Sequence, residues 1–183
     1  DLKIELLSLN NVEQMRAIKK GELDITFTRH NLHSDEIESK FVLREPLIFL
    51  LPKDHPLAKY ERIPVTALNG IDFIIPAKEQ SNTLHDVILD FAKTNHIEFN
   101  IVQRADNILF NINSIGMGLG CTILPGYIAP LTMNNTVIRS LDVELPYLDL
   151  YASYRKDRNS VAVDKFIELL TRVFYLDINR TEG

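Results

Sequence analysis

The chain has 183 residues, a formal net charge of −5, and 45% hydrophobic and 25% charged residues, a composition that is typical of folded globular proteins and excludes an intrinsically disordered chain. The acidic balance argues against nucleic-acid binding by this segment, because contacts with phosphates require a concentrated basic face, and the apolar runs fall short of the roughly 18 residues of a membrane span. The single cysteine, Cys121, excludes an internal disulfide and fits a reducing, cytoplasmic compartment.

The first 28 residues predict a strand, a helix and a second strand. Residues 3–7 and 23–28 have strand-like patterns. Between them, Asn10 and Asn11 can cap the start of a helix, and Gly21 can end it. Because a short helix between two strands implies a right-handed crossover, we expect these two strands to be parallel.

The central part of the chain predicts an exposed loop, two strands and a helix. Residues 30–40 are polar and predict the loop, and residues 41–51 predict an extended strand in which Pro46 interrupts any regular ladder. Residues 72–75 predict another strand, and residues 84–94 have apolar positions at helical spacing. Three candidate capping residues precede this helix: Ser81, Asn82 and Thr83.

The remaining sequence continues the same alternation. Strands are predicted over residues 98–103, 121–124, 136–141 and 148–154. A helix is predicted from Asp106 or Asn107 to Met117, and a final amphipathic helix over residues 160–174 precedes a frayed tail over residues 177–183. The inward-facing side of the final helix is predicted to be Phe166, Leu169, Leu170, Val173 and Phe174. This order of strands and helices indicates α/β layering.

Four segments of the chain resemble the effector domain of LysR-type transcriptional regulators. Residues 2–29 resemble the strand, the helix ending in Gly-x-Leu-Asp and the strand of that family, and residues 45–58 (EPLIFLLPKDHPLA) contain its His-Pro-Leu-Ala element. Residues 114–126 (SIGMGLGCTILPG) resemble its helix, Gly-x-Gly turn and strand ending in Leu-Pro. Residues 148–155 resemble the returning strand before the last helix.

The resemblance implies an α/β fold with two Rossmann-like lobes joined by two crossover strands, like the type 2 periplasmic binding proteins. With crossings near Glu45 and Pro146, lobe one would comprise residues 1–45 and 146–183, and lobe two residues 46–145. The ligand cleft of the family lies between the lobes. The resemblance also implies a homodimer or homotetramer that senses a small anionic metabolite as its effector.

The chain begins directly in the first predicted strand. The winged helix-turn-helix of the family, its linker helix, and the first strand and helix of its sensing domain do not precede that strand here. We therefore expect that the parent protein continues upstream and that it binds promoter DNA through a domain absent from this chain.

The predicted effector site lies where strands end and helices begin. Open α/β sheets bind ligands beyond the carboxyl ends of their strands, and helix N-termini offer free N–H groups and partial positive charge to carboxylates. An arginine there can also bind a carboxylate through two hydrogen bonds. The predicted effector-binding residues are Ser8, Asn10, Asn11, Thr28, Arg29, Ser81, Asn82, Thr83, Asn107 and Ile108.

Simpler roles explain the same residues. Asn and Ser before a helix are most often plain caps, and Arg29 can pair with a surface carboxylate for little energy. The assignment therefore depends on the resemblance, in which Asn11 and residues 81–83 match positions that contact the effector in relatives.

Other chemistry is disfavoured by the order and spacing of the residues. Gly116, Gly118 and Gly120 follow a predicted helix and open a strand, the reverse of a dinucleotide fingerprint, so they more simply end the helix and allow a tight turn. His30 and His33, with Asp35 and Glu36, have loose spacing for a metal and lie in a polar loop. Cys121 lies in an apolar strand, where a buried inert thiol is favoured over a redox sensor.

Two other functions compete with a regulatory domain. A transport-type solute-binding protein would share the lobed fold. An enzyme is disfavoured because the sequence has no nucleophile elbow, HExxH motif or P-loop, and we expect no catalytic residues, cofactor or metal.

Overall fold

The computed structural model of the chain describes residues 3–79 and 81–181, the last eight of these by their backbone alone. The chain divides into two compact units: a first unit of Asp1–Arg44 and Asp149–Gly183, and a second unit of Glu45–Leu148. Helices and strands alternate in the second unit, and the predicted α/β class is confirmed.

The first unit contains α1 (Asn11–Lys20), β1 (Thr26–Thr28), the start of β2 (Ile37–Pro52), most of β8 (Tyr147–Arg155) and α4 (Val161–Thr181). The strands are ordered β1-β8-β2, with β1 antiparallel to β8. The cap predicted at the start of α1 is formed by Asn10 and is part of a capping box: the Asn10 side chain accepts the Glu13 backbone N–H at 2.9 Å, and the Glu13 carboxylate accepts the Asn10 N–H at 3.0 Å. Gly21 ends the helix in the left-handed conformation.

The second unit has its strands in two groups that meet at an isolated bridge. Besides the end of β2 it contains β3 (Arg62–Ile63), β4 (Asp72–Pro76), α2 (Asn82–Thr94), β5 (Asn100–Ala105), α3 (Ile108–Gly116), β6 (Thr122–Pro125) and β7 (Thr136–Leu141). Short 3-10 turns occupy Pro56–Lys59, Val65–Leu68 and Gly126–Leu131. β6 and β7 pair antiparallel with β2, and β3 runs parallel to β7. β4 and β5 form a parallel pair, and a parallel bridge joins Phe73 to Cys121.

The core of the second unit follows from continuous apolar strands. All of β6 and all but the first residue of β4 are buried, as expected for strands covered on both faces. Helix α2 adds Leu84, Ile88 and Phe91 to this core, and α3 adds Ile112 and Ile115. The helical spacing of these residues in the sequence is thus explained by burial against one sheet.

The prediction of a strand at residues 3–7 is wrong. Residues 3–10 have no regular secondary structure in the described part of the chain, and Ile4, Leu6 and Leu7 are exposed. An extended pattern becomes a strand only when a neighbour satisfies its backbone groups, and β1 uses its hydrogen bonds antiparallel to β8 instead. The predicted parallel strand–helix–strand unit is therefore not formed.

The start of β2, the end of α4 and the buried face of α4 also differ from prediction. The exposed loop ends earlier than residue 40, because β2 begins at Ile37, whose side chain is buried. Helix α4 extends to Thr181 through most of the predicted frayed tail, whose last two residues lie outside the described part. The inward side of α4 is also narrower than predicted. Leu169 is 57% exposed and Val173 is 44% exposed.

The buried stripe of α4 explains the last difference. Val163 and Ile167 are buried with Val42, Ala152 and Tyr154 in the small core of the first unit, and Leu170 packs against it. Leu169 lies two residues after Ile167, or about 200° around the helix, and so faces away from the sheet. The predicted inward position of Phe174 lies outside the side chains that the structure describes.

Candidate functional site

Two helices of the second unit begin at the same edge of a parallel sheet. Pro76, the last residue of β4, is in register with Ala105, the last residue of β5, and the Ala77 N–H donates to the Ala105 carbonyl at 2.9 Å. Helix α2 follows β4 and α3 follows β5. Their N-termini therefore flank one edge, where unpaired N–H groups and the positive ends of the helix dipoles suit an anion.

The start of α2 carries three of the predicted residues. Ser81 is the N-cap residue but makes no side-chain capping bond, and Asn82 accepts the Thr83 N–H at 2.8 Å. All three side chains are half-buried. Behind them, Nδ1 of the buried His85 lies 2.8 Å from the Pro76 carbonyl oxygen, which fixes the first turn of α2 to the end of β4.

The start of α3 carries the other predicted residues of this unit. The Asn107 side chain caps the helix by accepting the Phe110 N–H at 2.8 Å, and Ile108 packs half-buried against the core. Asn107 thus performs the capping role that its sequence predicts, while its exposed position leaves it accessible to solvent.

Sequence reasoning missed a polar anchor beneath α3. Asn111 is 1% exposed and donates through Nδ2 to the Thr122 hydroxyl at 3.3 Å, and that hydroxyl donates to the Ile74 carbonyl at 2.8 Å. The side-chain oxygen of Asn111, Oδ1, is buried without a hydrogen-bond partner among the described residues. The signal was an Asn one helical turn after Asn107, on the side of the helix that carries Ile112 and Ile115.

The predicted residues of the first unit also gather at one end of adjacent elements. Helix α1 and β1 are joined by a short turn and so run in opposite directions, and the Thr26 hydroxyl donates to the Gln14 side chain. The start of α1 therefore lies at the same end as the last residue of β1. The predicted residues at that end are Ser8, Asn10, Asn11, Thr28 and Arg29.

These five residues are not equivalent. Asn10 is committed to the capping box, and the buried Thr28 donates its hydroxyl to the His30 carbonyl at 2.8 Å. Ser8 and Asn11 are exposed, and Arg29 is half-buried directly after β1. The structure thus gathers the predicted residues into two groups, one within each unit, and gives local structural roles to Asn10, Thr28 and Asn107.

The glycine-rich turn after α3 has the structural role that its position predicts. Gly118 adopts a left-handed φ of 82° and its N–H donates to the Ile115 carbonyl at 2.9 Å, which ends the helix. A Cβ on Gly120 would lie 2.8 Å from the Asp72 carbonyl oxygen, so a glycine is needed where β6 approaches β4. The turn follows a helix, in contrast to a nucleotide-binding loop.

The predicted inert thiol is buried. The Cys121 side chain is fully buried, and burial, together with the negative charge of Asp72, raises its pKa to about 12. A neutral thiol without solvent access is a poor nucleophile. In the part of the chain that the structure describes, no three His, Cys, Asp or Glu side chains form a group suited to a metal ion.

None of the described helices combines the length and apolarity that are needed to cross a membrane.

Comparison with known families gives one match over nearly the whole chain. The family described as "LysR substrate binding domain" matches residues 1–174. The chain is 35% identical over 170 residues to the Hca operon transcriptional activator HcaR of Escherichia coli K12, covering 93% of this chain and 57% of that protein. It is 27% identical over 168 residues to the transcriptional regulator AlsR of Bacillus subtilis, covering 92% of this chain and 56% of that protein. The chain therefore spans somewhat more than half the length of these relatives.

Solved structures of effector-binding domains have the same fold. The BenM effector-binding domain with its effector benzoate superposes with a TM-score of 0.81 at 16% identity, covering 96% of this chain and 80% of that one. The regulatory domain of CcmR from Synechocystis PCC6803, in complex with 2-PG, has a TM-score of 0.76 at 20% identity, covering 90% of this chain and 80% of that one. This likeness confirms the predicted periplasmic-binding-protein-like fold.

Proposed function

The chain belongs to the LysR substrate-binding domain family, and on that premise we propose that it senses a small anionic effector for a transcriptional regulator. We propose that the effector is an anion because α2 and α3 begin at the same sheet edge, where Pro76 and Ala105 are in register. Helix N-termini at such an edge bind carboxylates and phosphates through backbone N–H groups. Benzoate, the effector named for BenM, is a carboxylate.

The effector would contact the predicted residues of both units. In the first unit these are Ser8, Asn10, Asn11, Thr28 and Arg29, and in the second unit Ser81, Asn82, Thr83, Asn107 and Ile108. We propose that lobe one comprises residues 1–45 and 146–183 and that lobe two comprises residues 46–145. Binding to both lobes would favour one arrangement of them, because a ligand stabilises the conformation for which it has the higher affinity.

Control of transcription would follow from that shift. In a homodimer or homotetramer, a change in lobe angle would alter the spacing of DNA-binding domains that the parent protein carries outside this segment. We further propose a cytoplasmic location. Finding an upstream gene segment that encodes a winged helix-turn-helix would support this proposal, whereas an export leader there would favour a transport-type solute-binding protein.

The proposal includes the absence of catalysis. HcaR and AlsR are named as transcriptional regulators, and the proposed site offers backbone N–H groups and neutral polar side chains rather than an activated nucleophile. Incubating the chain with an identified effector and following the effector by NMR tests this point. Conversion of the effector at a rate proportional to protein concentration would contradict the proposal.

A thermal-shift screen of small carboxylates and their neutral amides tests ligand binding. A true effector at 100 times its Kd would raise Tm by about 5–10 °C, because it binds only the folded state. The corresponding amide should raise Tm much less. Equal shifts for acid and amide would contradict an anion site.

A double substitution, Asn11→Ala with Asn82→Ala, tests the proposed residues. Both side chains lie at helix starts outside the core, so we expect the domain to remain folded. Loss of two side-chain hydrogen bonds to an anion should weaken binding at least about tenfold by calorimetry. Asn113→Ala, at an exposed position of α3, is the matched control. An unchanged Kd in the double variant would contradict the site assignment.

A further inference from the structure

A groove in the first unit lies outside the predicted effector residues. It has a volume of about 700 Å³ and runs between β2, β8 and the first half of α4. This volume is within the range of sites for small organic molecules. None of the residues predicted to bind the effector lines the groove.

The floor of the groove is apolar and rigid. The ring of Tyr154 and the side chain of Ile167 belong to the small core of the first unit, where Val42 and Val163 pack beside them. The guanidinium of Arg158 covers one face of the Tyr154 ring, with Cζ 4.0 Å from the ring centroid, and places a cation beside this floor. Such a surface suits the apolar body of a ligand.

Arg158 is held in place beside the groove. Its side chain is 14% exposed, and its Nη2 donates to the Asp164 carboxylate at 2.8 Å. Its Nε is buried without a hydrogen-bond partner among the described residues. The ion pair with Asp164 therefore holds the Arg158 guanidinium over the Tyr154 ring, where Arg158 lines the groove as a fixed cation.

Two cations at the rim of the groove have no ion-pair partner among the described residues. Lys40 and Arg172 line it, and neither forms an ion pair with another residue in the described part of the chain. The charged residues of the lining are three cations (Lys40, Arg158 and Arg172) and two carboxylates (Asp164 and Glu168). The groove is therefore locally positive on a chain whose net charge is −5.

A smaller hollow of about 440 Å³ adjoins the groove and shares Lys40, Tyr154, Arg158 and Asp164 with it. It adds Lys156 and Glu38 to the lining, together with Arg155, which already pairs with Asp157. The excess of cations thus continues along this edge of the unit.

We propose that the groove binds a small amphipathic carboxylate. The apolar body of the ligand lies on Tyr154 and Ile167, and its carboxylate interacts with the ammonium group of Lys40 and the guanidinium group of Arg172. Because the groove shares no residue with the proposed effector site, the two sites can be tested separately.

Two-dimensional ¹H–¹⁵N NMR of the chain, titrated with benzoate as the probe, tests this proposal. We expect saturable shifts of the backbone amides at residues 40, 154, 167 and 168. Benzamide lacks the charge, and acetate and inorganic phosphate lack the apolar body, so each should bind at least about fivefold more weakly than benzoate. Phosphate binding as tight as that of benzoate, or equal binding of benzamide, would overturn the proposal.

Charge reversal localises the site. Lys40→Glu and Arg172→Glu change exposed side chains, and each should weaken benzoate binding at least about fivefold. Lys165→Glu makes the same change at an exposed α4 position outside the groove and should leave binding unchanged. Equal effects of all three variants would overturn the proposal.

Benzoate shifts confined to the starts of α2 and α3 would also overturn it, while supporting the proposed effector site. Shifts at the groove without any at those helix starts would support the groove proposal and would show that benzoate does not bind at the proposed effector site. The two proposals can therefore fail independently.

Discussion

The two units of the molecule bury their apolar residues to very different extents. In the second unit, 24 of the described residues form one core that includes whole strands, whereas the described core cluster of the first unit has five members, apart from the buried Ala17, Ile18 and Ile37. The second unit is one continuous segment, Glu45–Leu148, while the first combines both ends of the described chain. Because buried apolar area is the main favourable term in folding, we expect local stability to be concentrated in the second unit.

The comparison also separates two kinds of binding surface. The second unit offers backbone N–H groups at the edge of a rigid parallel sheet, whereas the first unit offers charged side chains above a small apolar floor. The first arrangement is fixed by the fold, and the second depends on long side chains on α4 and β2.

The largest expected difference between the units comes from matched Phe→Ala substitutions. Phe73 is fully buried in β4 and stacks on Phe99 with ring centroids 4.0 Å apart, so Phe73→Ala should cost about 3–5 kcal/mol. Phe41 in β2 is 43% exposed and makes one edge contact with Tyr151, so Phe41→Ala should cost about 1 kcal/mol or less. Urea denaturation of both variants measures the difference, and equal losses would contradict the concentration of stability in the second unit.

The second-largest loss of stability is expected where two strands of the second unit approach each other closely. Gly120→Ala would place a methyl group 2.8 Å from the Asp72 carbonyl oxygen and should cost about 1–3 kcal/mol, because backbone atoms must move apart. Gly70→Ala is the control: its φ is 74°, but no atom lies within 4 Å of the added carbon. Its cost should be about 1 kcal/mol from backbone strain alone. A larger loss for Gly70→Ala would show that crowding at Gly120 is relieved without cost.

Helix caps should have similar effects in both units. Asn10 caps α1 of the first unit and Asn107 caps α3 of the second, each through a side-chain oxygen. Asn10→Ala and Asn107→Ala should each cost about 1 kcal/mol by thermal unfolding. Ser81→Ala should cost less, since Ser81 makes no side-chain capping bond. A loss for Ser81→Ala as large as the other two would indicate a role that its hydrogen bonds do not explain.

The smallest expected effects are two pH dependences, one in each unit. In the second unit, burial lowers the pKa of His55 below 6.5, against the opposing charge of Asp72, and its Nδ1 accepts the Leu57 N–H at 3.2 Å. Neutral His55 therefore contributes stability that is present above pH 6.5 and is lost as pH falls through the folded-state pKa. In the first unit, the hydrogen bond from Arg44 lowers the pKa of Asp149 below 3.8. The stability that ionised Asp149 contributes is present above pH 3.8 and is lost as pH falls through the lowered pKa.

Denaturation midpoints measured from pH 8 to pH 2 separate these titrations. His55→Asn retains a side-chain acceptor and should flatten only the loss that begins below pH 6.5. Asp149→Asn should flatten only the loss below pH 3.8, by about 0.2–1 kcal/mol, because the Arg44–Asp149 pair is partly exposed. Loss of both dependences in a single variant would contradict their independence.

Much of the fold could be predicted where a local pattern decides the structure. The capping box at Asn10, the left-handed Gly21, the Asn107 cap, and β4 and β7 all follow from residue types at fixed spacing. The candidate site could be predicted only as two sets of helix starts. That the Thr28 hydroxyl is committed to a local hydrogen bond could not be read from composition or order.

The predictions from sequence fail where contacts between distant parts of the chain decide the structure. Residues 3–7 have a strand pattern, but β1 pairs with β8, which lies more than a hundred residues later in the chain. Leu169 and Val173 fit an amphipathic helix, but only the stripe with Val163 and Ile167 faces the sheet.

The sequence by itself determined the α/β class, the family resemblance, most elements and their caps, because hydrophobic period, caps and turn residues act within a few neighbours. Only the tertiary structure decided which strand pairs β1, which helix face is buried, and that Lys40, Tyr154, Arg158 and Arg172 share one groove. These features require residues from opposite ends of the chain to meet, and no local pattern encodes that meeting.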